Sequence, residues 1–157
     1  MRIGQGFDIH RWSDDATRSL RMGLITIPGE PGLAGHSDAD VVTHALIDAL
    51  LGAAGLGDIG EHFSDRDERF RGANSADLLK VTMAMIHEAG FTLGNADVTV
   101  IAESPRLGSF KALMAEALST HCGGPVSVKA TTMEGLGSLG NREGVAALAV
   151  ALLKEQA

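Results

Sequence analysis

The beginning of the chain alternates between the two faces of an extended segment, which is the pattern of a β-strand. Residues 2–10 predict such a strand, with glycines at positions 4 and 6. A polar turn follows at residues 13–17, and a second extended stretch, residues 20–27, is stopped by Pro28. We expect the two extended segments to pair with each other as a hairpin.

Three later segments repeat apolar residues at helical spacing. Ser37-Asp-Ala-Asp40 is a capping-box pattern, and the apolar positions after it predict a helix over residues 38–53. A second helix is predicted over residues 75–89 and a third over residues 110–121, and each is followed by glycine.

Strand-like alternation returns in the second half of the chain. Residues 98–102 and 126–130 each predict a strand. The tail, residues 144–153, is apolar almost throughout. Its alanines favour a helix, but its length also suits a strand buried on both faces, so periodicity leaves both structures open.

Composition narrows the class of protein. The chain has 157 residues, 45% of them hydrophobic, which predicts one domain over residues 1–157. A formal net charge of −7 makes nucleic acid and membrane surfaces poor partners. The first residues carry neither a secretory core nor a transit segment, so we expect a cytoplasmic protein. The single cysteine, Cys122, excludes an internal disulfide and has no neighbouring base that would make it a nucleophile.

One acidic residue and two histidines are candidate metal ligands. Asp8 and His10 are two positions apart on the first strand, so their side chains leave the same face. His44 lies on the first helix, with Asp40 and Asp48 one turn to either side, opposite the apolar stripe. These three ligands leave a fourth position open on a catalytic zinc ion, and Asp48 would orient the His44 ring. A solvated polar helix face gives the same spacing, so both interpretations stay open.

Two polar segments next to element ends are candidate phosphate contacts. His36 and Ser37 precede the first helix, where free N–H groups attract anions, although an ordinary N-cap has the same pattern. Residues 129–134 place two threonines and a glutamate at the end of a predicted strand, where they could contact phosphates. An ordinary edge strand rich in threonine has the same pattern. The glycine-bracketed acidic turns at 56–60 and 63–65 suit sugar hydroxyls or are ordinary turns.

Several motifs occur in a fixed order and together are far more specific than any one of them. They resemble the 2-C-methyl-D-erythritol 2,4-cyclodiphosphate synthase family over nearly the whole chain. The motifs are Ile3-Gly-Gln-Gly-Phe-Asp8-Ile-His10, Gly35-His-Ser-Asp-Ala-Asp-Val41 with His44, Leu51-Gly-Ala-Ala, Leu56-Gly-Asp-Ile-Gly60, Phe63-Ser-Asp65, and Lys129-Ala-Thr-Thr132 with Glu134.

The resemblance implies a fold and an activity. The fold is α/β (α+β), a four-stranded mixed sheet with helices on one face, in which residues 144–153 form a strand. The assembly is a homotrimer with active sites between subunits. The activity is that of a phosphorus–oxygen lyase of the non-mevalonate isoprenoid pathway, which converts 4-diphosphocytidyl-2-C-methyl-D-erythritol 2-phosphate to the cyclic diphosphate and CMP.

The resemblance also assigns roles to residues. Asp8, His10 and His44 would bind Zn²⁺, and Glu134 would help to hold a second divalent ion, Mg²⁺ or Mn²⁺, on the diphosphate. His36 and Thr132 would stabilise the transition state. The sugar and methylerythritol contacts would be Ser37, Asp58, Ile59, Gly60, Phe63 and Asp65, and the cytosine pocket of an adjoining subunit would be Ala102, Pro105, Arg106 and Leu107. Substrate contacts would also come from Asp8, His10, His36, Thr131, Thr132, Glu134 and Arg142.

The implied chemistry agrees with the composition. The substrate's own 2-phosphate is the nucleophile, so the protein must overcome repulsion between phosphates and align them. An acidic chain does this with divalent cations, so the charge of −7 favours metals.

Three residues depart from the family pattern. Ser138 and Asn141 replace an aromatic residue and an arginine that line an axial cavity for isoprenoid diphosphates, which puts that property in doubt unless Arg142 substitutes, and Met133 replaces a threonine. The alternative functions are a trimer that binds a phosphorylated or isoprenoid ligand without turnover, and a zinc phosphodiesterase that uses water.

Overall fold

A four-stranded mixed sheet is the centre of the fold in the computed structural model, which describes residues 1–156. In chain order the elements are β1 (Arg2–Arg11), β2 (Ser19–Met22), β3 (Ile25–Pro31), α1 (Val41–Ala54), α2 (Ile59–His62), a 3₁₀ turn (Glu68–Phe70), α3 (Ser75–Glu88), β4 (Phe91–Ile101), α4 (Lys111–Cys122), β5 (Val126–Thr131), α5 (Gly137–Gly140) and β6 (Gly144–Glu155). The sheet order is β1-β6-β4-β5, and only β4 and β5 run parallel. The mixed sheet implied by the family resemblance is confirmed.

The alanine-rich tail is the strand β6, in a central position of this sheet. It pairs with β1 on one side and β4 on the other, so its backbone groups are bonded along both edges. Tertiary pairing therefore overrides the helical preference of its alanines. The side chains of Val145, Ala147, Ala149 and Ala151 are buried in the core.

Helix α1 packs directly on the backbone of β1. A Cβ atom on Gly4 would lie 2.0 Å from the carbonyl oxygen of Ala49, and one on Gly6 would lie 2.1 Å from that of Ala45. Only glycine permits this approach. Other elements pack around α1 as well, so nearly every residue of this helix is buried. None of the helices in residues 1–156 combines the length and the apolar character needed to cross a membrane.

The opposite face of the sheet is exposed and carries an apolar patch on its β1–β6 side. Phe7 is 50% exposed and lies opposite Leu148 in the register, and Ile9 is the next residue of β1 on this face. Val150 of β6 continues the patch, whereas Gln5 of β1 and the Asp97–Lys129 ion pair add polar side chains to the same face. An exposed apolar patch bordered by polar residues is typical of an interaction site.

The predicted hairpin between residues 2–10 and 20–27 is wrong. Strand β1 pairs with β6, and residues 20–27 span parts of two strands, β2 and β3, that pair with each other. Gly23 and Leu24 both have positive φ, at 56° and 69°, and form the tight turn between them. The glycine inside this apolar run was the signal for that turn.

The other predicted elements are confirmed, with two boundaries shifted by more than one residue. The helices α3 and α4 and the strand β5 match the predicted segments to within one residue at each end, whereas β4 begins at Phe91, seven residues before the predicted start at Val98. Helix α1 begins at Val41, after the N-cap Asp40, and not near Asp38. The Asp40 carboxylate accepts from the N–H of Thr43 at 3.0 Å, and Ala39 before it has a φ of 56°, so residues 37–39 form a turn ahead of the helix.

Candidate active site

Asp8, His10 and His44 converge at the carboxyl end of β1. Asp8 Oδ2 lies 2.9 Å from His10 Nε2 and 3.1 Å from His44 Nδ1, and the two ring nitrogens are 3.4 Å apart. Asp8 and His10 leave the helix-covered face of β1, and α1 brings His44 to them because Gly6 lets the helix rest on the strand. The predicted convergence of these three side chains is confirmed.

This triangle fits a tetrahedral divalent cation. Four ligands about 2.0–2.1 Å from zinc lie about 3.3 Å from one another, which is close to the three distances found here. One carboxylate oxygen and two imidazole nitrogens are donors that zinc accepts in catalytic sites. His10 Nδ1 lies 2.7 Å from the carbonyl oxygen of Ala34 and donates to it, so Nε2 would present a lone pair to the centre of the triangle once a cation has displaced its hydrogen.

The electrostatics of the triangle favour a cation. Without a cation in the triangle, burial alone would raise the pKa of Asp8, but hydrogen bonds from His10 and His44 outweigh it and hold that pKa well below its ordinary value. Burial lowers the pKa of His10, yet the hydrogen bond to Asp8 prevails and raises it. Asp8 is therefore ionised at neutral pH and requires positive charge beside it.

His44 is not on a solvated polar face, as its spacing suggested. It is 8% exposed, and Asp40 is fully buried with its carboxylate bonded to the backbone N–H groups of Gly23 and Leu24. Asp48 does not orient the His44 ring, because its carboxylate accepts from the N–H of Ile59 at 3.1 Å. The groups that contact His44 Nε2 are the hydroxyls of Ser75 and Ser37.

A cleft of about 380 Å³ opens over the triangle. It brings together most residues predicted from the first half of the chain, and it adds two apolar residues, Phe70 and Leu78, that the sequence analysis missed. No lysine or arginine lines it among the described residues. Its predicted residues are Asp8, His10, His36, Ser37, His44, Ile59, Gly60, Phe63 and Asp65.

A second cleft, of about 580 Å³, collects the predicted residues of the second half. It contains three cationic side chains, those of Arg106, Lys111 and Arg142, and Lys111 was not predicted. Glu103 was also missed, and its carboxylate accepts from the N–H groups of Met133 and Gly135. The predicted residues here are Ala102, Pro105, Arg106, Leu107, Thr131, Thr132 and Arg142.

Two predicted site residues line neither cleft. Asp58 caps the short helix α2 by accepting from the N–H of Glu61 at 3.0 Å. Glu134 is exposed, and its carboxylate accepts from the hydroxyl of Thr132 at 2.9 Å. Glu134 has a φ of 52°, in a turn that projects from the end of β5.

The two clefts lie at opposite edges of the sheet. The first is at the carboxyl end of β1, and the second is at the carboxyl ends of β4 and β5. In the order β1-β6-β4-β5 the two edge strands are separated by three strand spacings, about 14 Å in all. The clefts share no lining residue.

Comparisons with known proteins cover the whole fold. The YgbB family profile matches residues 1–154. The 2-C-methyl-D-erythritol 2,4-cyclodiphosphate synthase of Enterococcus faecalis is 50% identical over 158 residues, with 99% of each chain covered. That of Desulfosudis oleivorans is 52% identical, with 99% of this chain and 94% of the other covered.

Solved structures agree with the sequence relatives. IspF of Plasmodium falciparum, in a complex with CDP, is 32% identical with a TM-score of 0.85, covering 99% of this chain and 97% of that one. The bifunctional IspDF of Campylobacter jejuni is 43% identical with a TM-score of 0.93, covering 98% of this chain. This chain spans 42% of that bifunctional protein, but nearly the full length of the other relatives.

Proposed function

The chain belongs to the YgbB family, and from this premise we propose that it is a 2-C-methyl-D-erythritol 2,4-cyclodiphosphate synthase. Its substrate would be 4-diphosphocytidyl-2-C-methyl-D-erythritol 2-phosphate and its products the cyclic diphosphate and CMP. The observation that carries this proposal is the ligand triangle of Asp8, His10 and His44 at the floor of a cleft without cationic side chains.

The proposed reaction is an internal displacement at phosphorus. An oxygen of the 2-phosphate bonds to the diphosphate phosphorus nearer the erythritol, and the bond from that phosphorus to the CMP oxygen breaks. CMP leaves with the electron pair, so no water is consumed and the protein acts as a phosphorus–oxygen lyase. The protein needs no nucleophile of its own, and it must align two anionic groups that repel each other.

The first cleft suits the phosphates only if cations enter with them. Asp8 and Asp65 line it and would repel a polyanion. Zn²⁺ on Asp8, His10 and His44, and Mg²⁺ or Mn²⁺ held with the help of Glu134, would supply positive charge to the phosphate oxygens. His36 and Thr132 would donate hydrogen bonds to the same oxygens as charge develops.

The proposed roles of the remaining substrate-contact residues depend on which of the two clefts each residue lines. Ser37, Ile59, Gly60, Phe63 and Asp65 surround the triangle, which suits contact with the methylerythritol part, and Asp58 stands beside them at the start of α2. The second cleft combines an apolar floor with cations that suit cytosine and the diphosphate, respectively. Its proposed nucleotide contacts are Ala102, Pro105, Arg106, Leu107, Thr131 and Arg142.

We propose a homotrimer because one protomer separates the two clefts. A substrate bound at the triangle reaches a nucleotide cleft if the β5 edge of a neighbouring subunit lies against the β1 edge. The exposed apolar patch around Phe7 and Leu148 supplies a surface for such an assembly, which would remove that patch from water. We place the enzyme in the cytoplasm, as the sequence predicts.

A product assay tests the activity. The purified protein is incubated with the substrate in Zn²⁺ plus Mg²⁺, after chelation, and after metals are restored, and products are followed by phosphorus NMR. We expect CMP and two mutually coupled phosphorus signals from the ring, lost with the chelator and recovered with metal. His44→Ala is expected to abolish turnover, whereas Thr82→Val, which changes a buried hydroxyl away from both clefts, is expected to retain it.

Other products would identify a different function. Orthophosphate or an open diphosphate beside CMP would indicate a phosphodiesterase that uses water. Tight CDP binding without CMP release would indicate a binding protein. Full cyclisation by His44→Ala in the presence of chelator would overturn the metal assignment.

A further inference from the structure

A buried serine and a partly buried aspartate, Ser75 and Asp38, lie on the far side of the His44 ring from the ligand triangle. Ser75 Oγ lies 3.0 Å from His44 Nε2 and 2.5 Å from Asp38 Oδ1. The backbone N–H of Ser75 donates to Asp38 Oδ2 at 2.9 Å. Ser75 is fully buried and is the first residue of α3, whereas Asp38 lies in the turn before α1.

The direction of these hydrogen bonds follows from the carboxylate. An ionised carboxylate only accepts, so both the hydroxyl and the N–H of Ser75 donate to Asp38. The N–H of Asp40 is a further donor to Asp38 Oδ1, at 3.3 Å. Ser75 Oγ has then used its only hydrogen and presents lone pairs to His44 Nε2.

That direction determines which His44 nitrogen carries the hydrogen. A ring that donates from Nε2 to Ser75 Oγ keeps its lone pair on Nδ1, and Nδ1 is the atom that faces Asp8 and His10. We propose that Ser75 and Asp38 are positioning residues that fix the His44 tautomer and ring angle for metal binding. This inference rests on the metal centre of the proposed function.

Ser37 is a weaker candidate for the same task. Its hydroxyl lies 3.3 Å from His44 Nε2 and is also 3.4 Å from the N–H of Ala39. It is only partly buried and borders the cleft, where a substrate would compete for it. Ser75 does not border either cleft, so its bond to His44 is undisturbed by substrate.

Zinc affinity of purified protein, measured by competition with a chromogenic chelator, tests the proposal. Ser75→Ala removes the hydroxyl that accepts from the buried Nε2–H of His44. We therefore expect zinc to bind about 10–100-fold more weakly. In Asp38→Asn an amide N–H donor faces Ser75 Oγ, so the Ser75 hydroxyl turns and donates to His44 Nε2 instead. The ring hydrogen then moves to Nδ1, the atom that would bind zinc. We expect a loss of zinc affinity at least as large as in Ser75→Ala. Thr82→Val, which removes another fully buried hydroxyl of α3, is the matched control and is expected to bind zinc normally.

A spectroscopic readout separates positioning from general destabilisation. In the zinc-loaded wild type we expect an imidazole N–H proton, protected from exchange, with a nuclear Overhauser effect to the Ser75 methylene protons. It should lose protection in Ser75→Ala while the amide spectrum of α3 stays native-like. If Ser75→Ala does not fold, the affinity of Asp38→Asn provides the test.

Three results would overturn the inference. One is wild-type zinc affinity in both folded variants, another is an equal loss in Thr82→Val, and the third is a wild type that binds no zinc, which would also remove the proposed metal centre. Zinc binding that weakens as expected in a protein that makes no cyclic product would instead leave this inference standing and reject the proposed activity.

Discussion

The contact between α1 and β1 offers a direct test of how the fold builds the site. Gly6 of β1 faces α1, and a Cβ atom added there would lie 2.1 Å from the carbonyl oxygen of Ala45 and 2.6 Å from the N–H nitrogen of Ala49. Both obstacles are backbone atoms of a buried helix, so neither can rotate away. Gly6→Ala must therefore push α1 off the strand.

The displacement can be estimated from these distances. The new Cβ is about 1.3 Å short of an ordinary contact with Ala45, and His44 is the adjacent residue on α1. Metal–ligand distances tolerate about 0.2 Å, so a helix shift of about 0.65 Å, half of the overlap, is enough to remove His44 from its ligand position. We expect zinc affinity to fall at least about tenfold. Overpacking of this kind also costs about 1–3 kcal/mol of stability, with about 2–4 °C of Tm lost per kcal/mol.

Gly52→Ala is the matched control on the same helix. Gly52 is exposed, and outside its own helix the nearest atom to a new Cβ is the carbonyl oxygen of Gln5, 4.0 Å away. We expect this variant to gain about 0.5–1 kcal/mol because alanine favours the helix. Urea unfolding and chelator competition, at one protein concentration, measure both variants. Normal zinc affinity in a folded Gly6→Ala would refute the proposed link between helix docking and metal binding.

Three further predictions address other parts of the molecule. Phe7→Asp should dissociate the proposed trimer in analytical ultracentrifugation, since it removes about 2–3 kcal/mol of apolar burial per subunit and adds a charge, whereas Val81→Asp, at a 48% exposed site on α3, should not. Glu103→Ala should weaken CDP binding in calorimetry by releasing the turn that carries Thr132, with zinc affinity unchanged because the ligand triangle lies at the other sheet edge. Cys122, whose pKa burial raises to about 12, should resist iodoacetamide at pH 8 in the folded protein and react after unfolding.

Local patterns were sufficient for the elements that carry the ligands. The alternation of residues 2–10 and the helical spacing after Ser37 correctly identify β1 and α1, because each element buries one repeated set of side chains. The pairing of Asp8 with His10 follows from the strand period alone. Bringing His44 to them required the ordered set of family motifs, since spacing alone favoured a solvated helix face.

Local sequence patterns could not predict contacts between segments that are distant along the chain. Asp48 lies one turn from His44 and was the natural partner from spacing, yet the ring contacts Ser75, 31 residues further along the chain. Asp48 is drawn to the N–H of Ile59 because the start of α2 offers it an unpaired donor. The pairing of β1 with β6 is likewise a contact between the two ends of the chain, which no hairpin rule predicts.

The period of β1 assigns its successive residues to two different tasks. Asp8 and His10 face α1 and form the ligand triangle, whereas Phe7 and Ile9 face outward and form the apolar surface that we propose for subunit contact. A slip of one residue against β6 would exchange these sets, turning both ligands to the exposed face and driving two large apolar side chains against α1. Gly4 and Gly6 oppose that slip, because the Cβ atoms of any other residues at their positions would collide with the helix. The same two glycines therefore determine both the metal centre and the face through which a neighbouring subunit would complete the site.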